Sequence, residues 1–214
     1  MRRWAPYALL WAATLSAQQD RNLDPLLARV QAKVRERLVR VPDYVCVQTV
    51  ERAQRATAQE PFKLRDTLRL EVALIGSRER FAWLDSGKFE DRELRDMVGK
   101  GIVGTGNFAL HTKHVFQPNV ADFKARSEVT HHGRRALRYE YEVPWENSGY
   151  RIRVGPHEEV VAFRGSFLVD EETLDLLRLE VLADEIPQEL ALDRAITVLE
   201  YAPVTIGASE YVLP

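Results

Sequence analysis

From Phe62 to Leu74 apolar and polar residues alternate with a period of two. Phe62, Leu64, Leu68, Leu70, Val72 and Leu74 fall on one side, and Lys63, Arg65, Thr67, Arg69 and Glu71 on the other; only Asp66 interrupts the apolar set. Successive side chains of a strand point to opposite faces, so this segment reads as a strand with one buried and one wet face. That is the signature of an antiparallel sheet, because parallel strands are covered on both faces and are apolar throughout. Such a sheet must cover its apolar face, and the remainder of the chain has to supply the cover.

The flanking segments fit this demand. YVCVQTVER precedes the alternating run across a polar stretch at 53–60, and RERFAWL follows it, closed by Asp85-Ser86-Gly87. Further strand-like runs are ADFKARSEV, RALRYEYEV, YRIRV, EEVVAF, GSFLVD, LDLLRLEVLADEI, AITVLEYAPVTIG and EYVLP, with turns at His132-Gly133, Asn147-Ser148-Gly149 and Glu171-Glu172. Strands are thus expected over 43–85 and 120–214. A helix is predicted over 24–41: Asp24 suits the N-cap, Pro25 the first turn, and Leu26, Leu27, Val30, Val34 and Leu38 recur at three- and four-residue spacing until Pro42. A helical insertion is predicted over 90–116, where EDRELRDMV and NFALHTKHVF flank the glycine-rich GKGIVGTG. The expected fold is one α+β domain over 18–214, a strongly curved antiparallel sheet (half-barrel) wrapped around the N-terminal helix and the helical insertion. Its pocket is expected at the concave face or the helix–sheet seam.

Residues 1–17, MRRWAPYALLWAATLSA, have the layout of a secretory signal peptide: two arginines, an uncharged apolar run from Trp4 to Leu15, and small Ser16 and Ala17. The run is short for a membrane span, and no cysteine at the cut offers a lipid attachment point. Export and a periplasmic or extracellular address are expected. A near-balanced net charge of −2 argues against nucleic acid as a partner and leaves membrane contact at most peripheral. The lone Cys46 makes no internal disulfide and reads as a small buried hydrophobe, so the core must supply the stability.

Few motifs carry chemistry. Gly99-Lys100-Gly101-Ile102-Val103-Gly104 spells G-x-G-x-x-G, but a helix rather than a strand precedes it, so it reads as a hinge instead of a dinucleotide cradle. His111 and His114 are two imidazoles where zinc needs three or four ligands, and His131-His132 reads as ordinary turn polarity. Ser86, Ser148 and Ser166 lie outside any G-x-S-x-G elbow, and the acid pairs Glu171-Glu172 and Asp184-Glu185 read as solvated turn residues. Phe81, Trp83, Tyr139, Tyr141, Phe163 and Phe167 fall on strands and read as core. No catalytic residue, metal site or cofactor is expected.

GRRALRYEYEV followed by GSFLVDEETLDLLRLEV resembles the strand–turn–strand texture of bacterial envelope proteins with the LolA/LolB/RseB-like fold. Gly165, Phe167, Val169, Asp170, Thr173, Leu174, Arg178 and Glu180 carry the likeness. Tyr44, Cys46 and Gln48 are similar to a Y-x-C-x-Q pattern of secreted bacterial proteins without assigned activity. The resemblance implies a curved sheet holding helices, and either carriage of lipids or lipoproteins or the binding of envelope protein partners. It also implies a further strand beyond Leu213-Pro214. The expected function is a non-enzymatic binding protein taking a lipid, lipoprotein acyl chain or other hydrophobic ligand. Leu68, Leu70, Val72, Phe81, Trp83, Met97, Ile102, Phe108 and Val115 are the expected pocket walls. The alternative is an envelope interaction or stress-sensing module without a small ligand.

Overall fold

Among the described residues every strand ladder is antiparallel, including the two that the alternating 62–74 segment makes. The computed structural model describes residues 25–57, 59–76, 78–90, 92–99 and 103–214, so the expected leader, Asp24 and Ile102 lie outside the described residues. Helix α1 spans Pro25–Arg40, and the strands β1 Tyr44–Gln54, β2 Lys63–Ile75 and β3 Arg78–Trp83 form a three-stranded meander. The insertion contributes two short helices, α2 at Leu94–Val98 and α3 at Leu110–Val115. Then follow β4 Asp122–His131, β5 Arg134–Val143, β6 Arg151–Val154, β7 His157–Val160, β8 Phe163–Asp170, β9 Leu176–Ala183, β10 Ile196–Glu200, β11 Ala202–Ile206 and β12 Ser209–Leu213. Five of these make a sheet in the order β10-β9-β8-β5-β4, while β6–β7 and β11–β12 are separate hairpins. The fold is α+β, dominated by antiparallel sheet, and no barrel closes among the described residues. No helix among the described residues is long and apolar enough to cross a membrane.

Helix α1 lays Leu27, Val30 and Val34 onto one face of the five-stranded sheet, where all three are buried. Each contributes roughly 1.5–3 kcal/mol by leaving water. The helix ends one residue before Val41-Pro42, since a residue preceding proline is pushed out of the α region. Arg37 then fixes it to the β8–β9 turn by a bidentate pair with Asp175, at 2.9 and 3.0 Å. At the centre of this core Phe167 stacks on Tyr139 and meets Phe116 and Phe123 edge-on.

The five-stranded sheet twists enough to bring its two edges together at one end. β4 and β10 are its two edges, and in a flat sheet four inter-strand spacings would hold them about 19 Å apart. Yet His131 Nε2, at the end of β4, lies 3.1 Å from Glu200 Oε2, at the end of β10. Accumulated strand twist brings these ends together without a ladder forming between them.

Two local departures from the sequence reading have physical causes. Phe62 and Leu64 continue the apolar face of β2 but are 64% and 63% exposed, because this end of the β1–β2 hairpin runs past the core. The interrupting Asp66 is taken up by its cross-strand neighbour Arg52 through two 2.6 Å bonds. AITVLEYAPVTIG is not one strand: it breaks at Tyr201, whose N–H donates to the Leu177 carbonyl and whose hydroxyl meets that of Thr112. β11 thereby leaves the sheet and pairs with β12.

The GSFLVDEET segment has a structural reading residue by residue. Tyr141 reaches across β8 to donate its hydroxyl to the Glu180 carbonyl of β9, at 2.8 Å. It passes over Gly165, where an added Cβ would lie 2.9 Å from Tyr141 Oη and collide with the Glu180 carbonyl. Asp170 is buried and caps the following turn, its Oδ1 accepting from the N–H groups of Glu172 (3.0 Å) and Thr173 (2.9 Å), while Arg134 holds Oδ2. Gly165→Ala is expected to destabilise the protein by about 3 kcal/mol, the upper end for overpacking. Tyr141→Phe should cost about 1 kcal/mol for one lost bond. Urea unfolding midpoints of the two variants check the order; equal midpoints would remove the crossing from the account.

Candidate functional site

The insertion covers two different apolar faces, and the site follows from that division. Leu94 of α2 packs on Leu70, Val72 and Phe81 of the three-stranded sheet, with Leu68, Met97, Val98, Val103 and Phe108 around them. Val115 and Phe116 at the end of α3 instead enter the core beneath α1. The segment 103–109 leads from one of these clusters to the other. Glu79 of β3 holds it: its carboxylate accepts the N–H of Gly106 at 2.7 Å and of Phe108 at 3.0 Å. Tyr44 donates its hydroxyl to the Phe108 carbonyl (3.1 Å) and Lys113 its ammonium to the Gly76 carbonyl (2.9 Å).

Gly106 is required at this bend. Its φ is +88°, and a Cβ there would press on the His111 ring at 3.2 Å. His111 stands edge-on to Tyr150, and its ring bonds to the backbone of Thr105. His114 accepts the Gly149 N–H on Nε2 at 3.2 Å and lies against Phe163. Burial pushes both imidazoles below their ordinary range, partly offset by the backbone bond to Thr105 for His111 and by one to the Asn147 backbone for His114. Both histidines therefore position the insertion against the 147–150 segment.

Two open grooves flank the 103–110 segment, each of about 650 Å³, and they share Val103, Thr105, Leu110, Arg151 and Arg153. One has an apolar floor of Leu110, Tyr150, Ile152 and Phe163, with Ile196 at its edge. The other runs between α2, β3 and the β6–β7 hairpin and is rimmed by charge. Across it Arg153 pairs with Glu93 beside α2 (3.4 Å) and with Glu158 of its own hairpin, and Arg151 also meets Glu158, at 3.2 Å. An apolar floor beside a rim of alternating arginine and glutamate accommodates a molecule with an apolar body and a polar end.

The expected pocket walls are placed differently. Leu68, Leu70, Val72, Phe81, Met97 and Phe108 do come together, but as a packed cluster that α2 fills. Of these, only Phe81 borders either of the two grooves. Trp83 is 37% exposed, and Val115 is buried in the other core. The groove residues on β6, β8 and β10 went unselected because their apolar pattern is that of any strand.

Other candidates are structurally occupied. Tyr44, Cys46 and Gln48 all face inward from β1. Burial, then the Glu79 carboxylate, pushes the Cys46 thiol up, away from the thiolate that nucleophilic chemistry needs. Gln48 buries its Oε1 without a hydrogen-bond partner. Ser148 Oγ donates to the Val161 carbonyl (2.6 Å) and Ser86 Oγ to the Lys88 carbonyl (3.3 Å). Compared with protein-family models, curated proteins and solved structures, the chain has no match.

Burial raises the Glu79 carboxyl above its ordinary value, with the two backbone bonds opposing. The folded state thus binds this proton more tightly than the unfolded chain. Its contribution to stability is complete below the unfolded value and is lost as pH rises through the folded one. Glu79→Gln should flatten stability across the window just above the ordinary carboxylate range. Glu79→Ala leaves two N–H groups unmet and should cost about 2 kcal/mol, with faster hydrogen exchange at 103–109. Denaturation over a pH series, read beside exchange at Gly106 and Phe108, checks both.

Proposed function

We propose that this chain is an exported, non-enzymatic binding protein of LolA/LolB/RseB-like layout, its sheets arranged as a half-barrel around the helices. Its ligand is an amphiphile: a lipid, a lipoprotein acyl chain or a similar molecule. The ligand lies in the groove beside 103–110 rather than beneath α2. One observation carries this reading: the apolar floor of Leu110, Tyr150, Ile152 and Phe163 opens onto Arg151 and Arg153 within about 650 Å³, a size typical of small-molecule sites. The Glu79 contacts and the bend at Gly106 support it, because they set the course of the segment that borders the groove.

Ile196 is 41% exposed at the groove edge, so its replacement spares the core. Ile196→Glu is expected to weaken binding of a fluorescent fatty-acid probe at least about tenfold, as a charge enters an apolar contact. Native mass spectrometry of protein purified from envelope fractions should show a bound amphiphile. Protein without any bound amphiphile, together with a probe affinity indifferent to Ile196→Glu, would sink the proposal.

A second reading rests on β1, an eleven-residue edge strand with Val45 and Val47 60% and 55% exposed. Such an edge accepts an added strand from a partner protein. Lysine at both positions should abolish co-purification of an envelope partner while leaving probe binding intact.

A further inference from the structure

We propose that His131, His132 and Glu200 form a divalent transition-metal site suited to zinc. Their ligand atoms all lie within 4.8 Å of one another, and no other such cluster occurs among the described residues. The two imidazole centroids are 4.2 Å apart, and His131 Nε2 is 3.1 Å from Glu200 Oε2.

The backbone explains why neighbouring histidines converge. Adjacent residues of a continuing strand point to opposite faces and cannot share an ion. Here the chain reverses: His132 and Gly133 are the central residues of the β4–β5 turn, with φ of 48° and 77°. Two positive φ values belong to the tight turn that joins strands in a two-residue hairpin. This left-handed backbone sets the His132 ring beside that of His131.

Glu200 arrives from the opposite edge of the sheet, carried there by the coiling. Arg178 binds its Oε1 and so leaves Oε2 aimed at the histidines, as outer partners orient ligating carboxylates. The arginines that follow the turn are engaged elsewhere, Arg134 with Asp170 and Arg135 with Glu171. Two imidazoles and a carboxylate are a ligand set zinc favours, and three protein ligands leave a fourth position for water. Bonds of about 2.0–2.1 Å require the donor atoms to draw in to roughly 3.3 Å. His132 and Glu200 are exposed and have room for that movement. The ion replaces the direct contact between His131 Nε2 and Glu200 Oε2. Bound there, it clasps the β4–β5 turn to the end of β10 and fixes the coil of the sheet.

The test is isothermal titration of the full, untagged chain with zinc after chelation, with cobalt(II) absorption as the second readout. One ion per chain is expected, with the visible bands of four-coordinate cobalt and slower hydrogen exchange at both 131–133 and 198–200. His132→Asn suits the left-handed position and should fold. That variant and Glu200→Gln should each weaken binding at least about tenfold, whereas His157→Ala on β7 should not. No binding, or an affinity unchanged by His132→Asn and Glu200→Gln, would overturn the site.

Discussion

Two separate apolar sheet faces share one short insertion, and the Glu79 carboxylate holds the span between its two halves. α2 is spent on the three-stranded meander and the end of α3 on the five-stranded sheet. The N–H groups of Gly106 and Phe108 in the segment between them need an acceptor. A half-buried carboxylate on β3 supplies it. The grooves exist because this span bridges the two faces without filling the space beside it.

The coil of the five-stranded sheet is the second organising constraint. Twist accumulated over four ladders brings the ends of β4 and β10 together. Gly165 permits the sheet's central crossing, since only a residue without Cβ leaves room for Tyr141 to reach Glu180. The same curvature sets the histidine pair of the β4–β5 turn against Glu200. His131 and Glu200 are 69 apart in sequence and on opposite edges of the sheet.

Much of the local structure was legible. Leu27, Val30 and Val34 mark the buried stripe of α1, Pro42 its limit, and the alternation from Leu68 to Leu74 the buried face of β2. The turn at His132-Gly133 was equally plain. The candidate site was not. Leu70, Val72 and Phe81 have the pattern of a pocket wall and of a packed core alike, because periodicity records which face is apolar and not what lies against it. The floor residues Ile152 and Phe163 alternate like any strand.

From the sequence alone, period-two alternation determined an antiparallel sheet with one wet face, and three- and four-residue spacing determined the first helix. Both are set by backbone geometry over a few residues, so they are written locally. The tertiary structure alone decided that α2 fills the face first expected to be a pocket and that the open volume lies beside 103–110. It also decided that a two-histidine turn acquires a carboxylate. Those outcomes depend on sheet twist and on where the insertion lands, quantities summed over many strands and encoded at no single position.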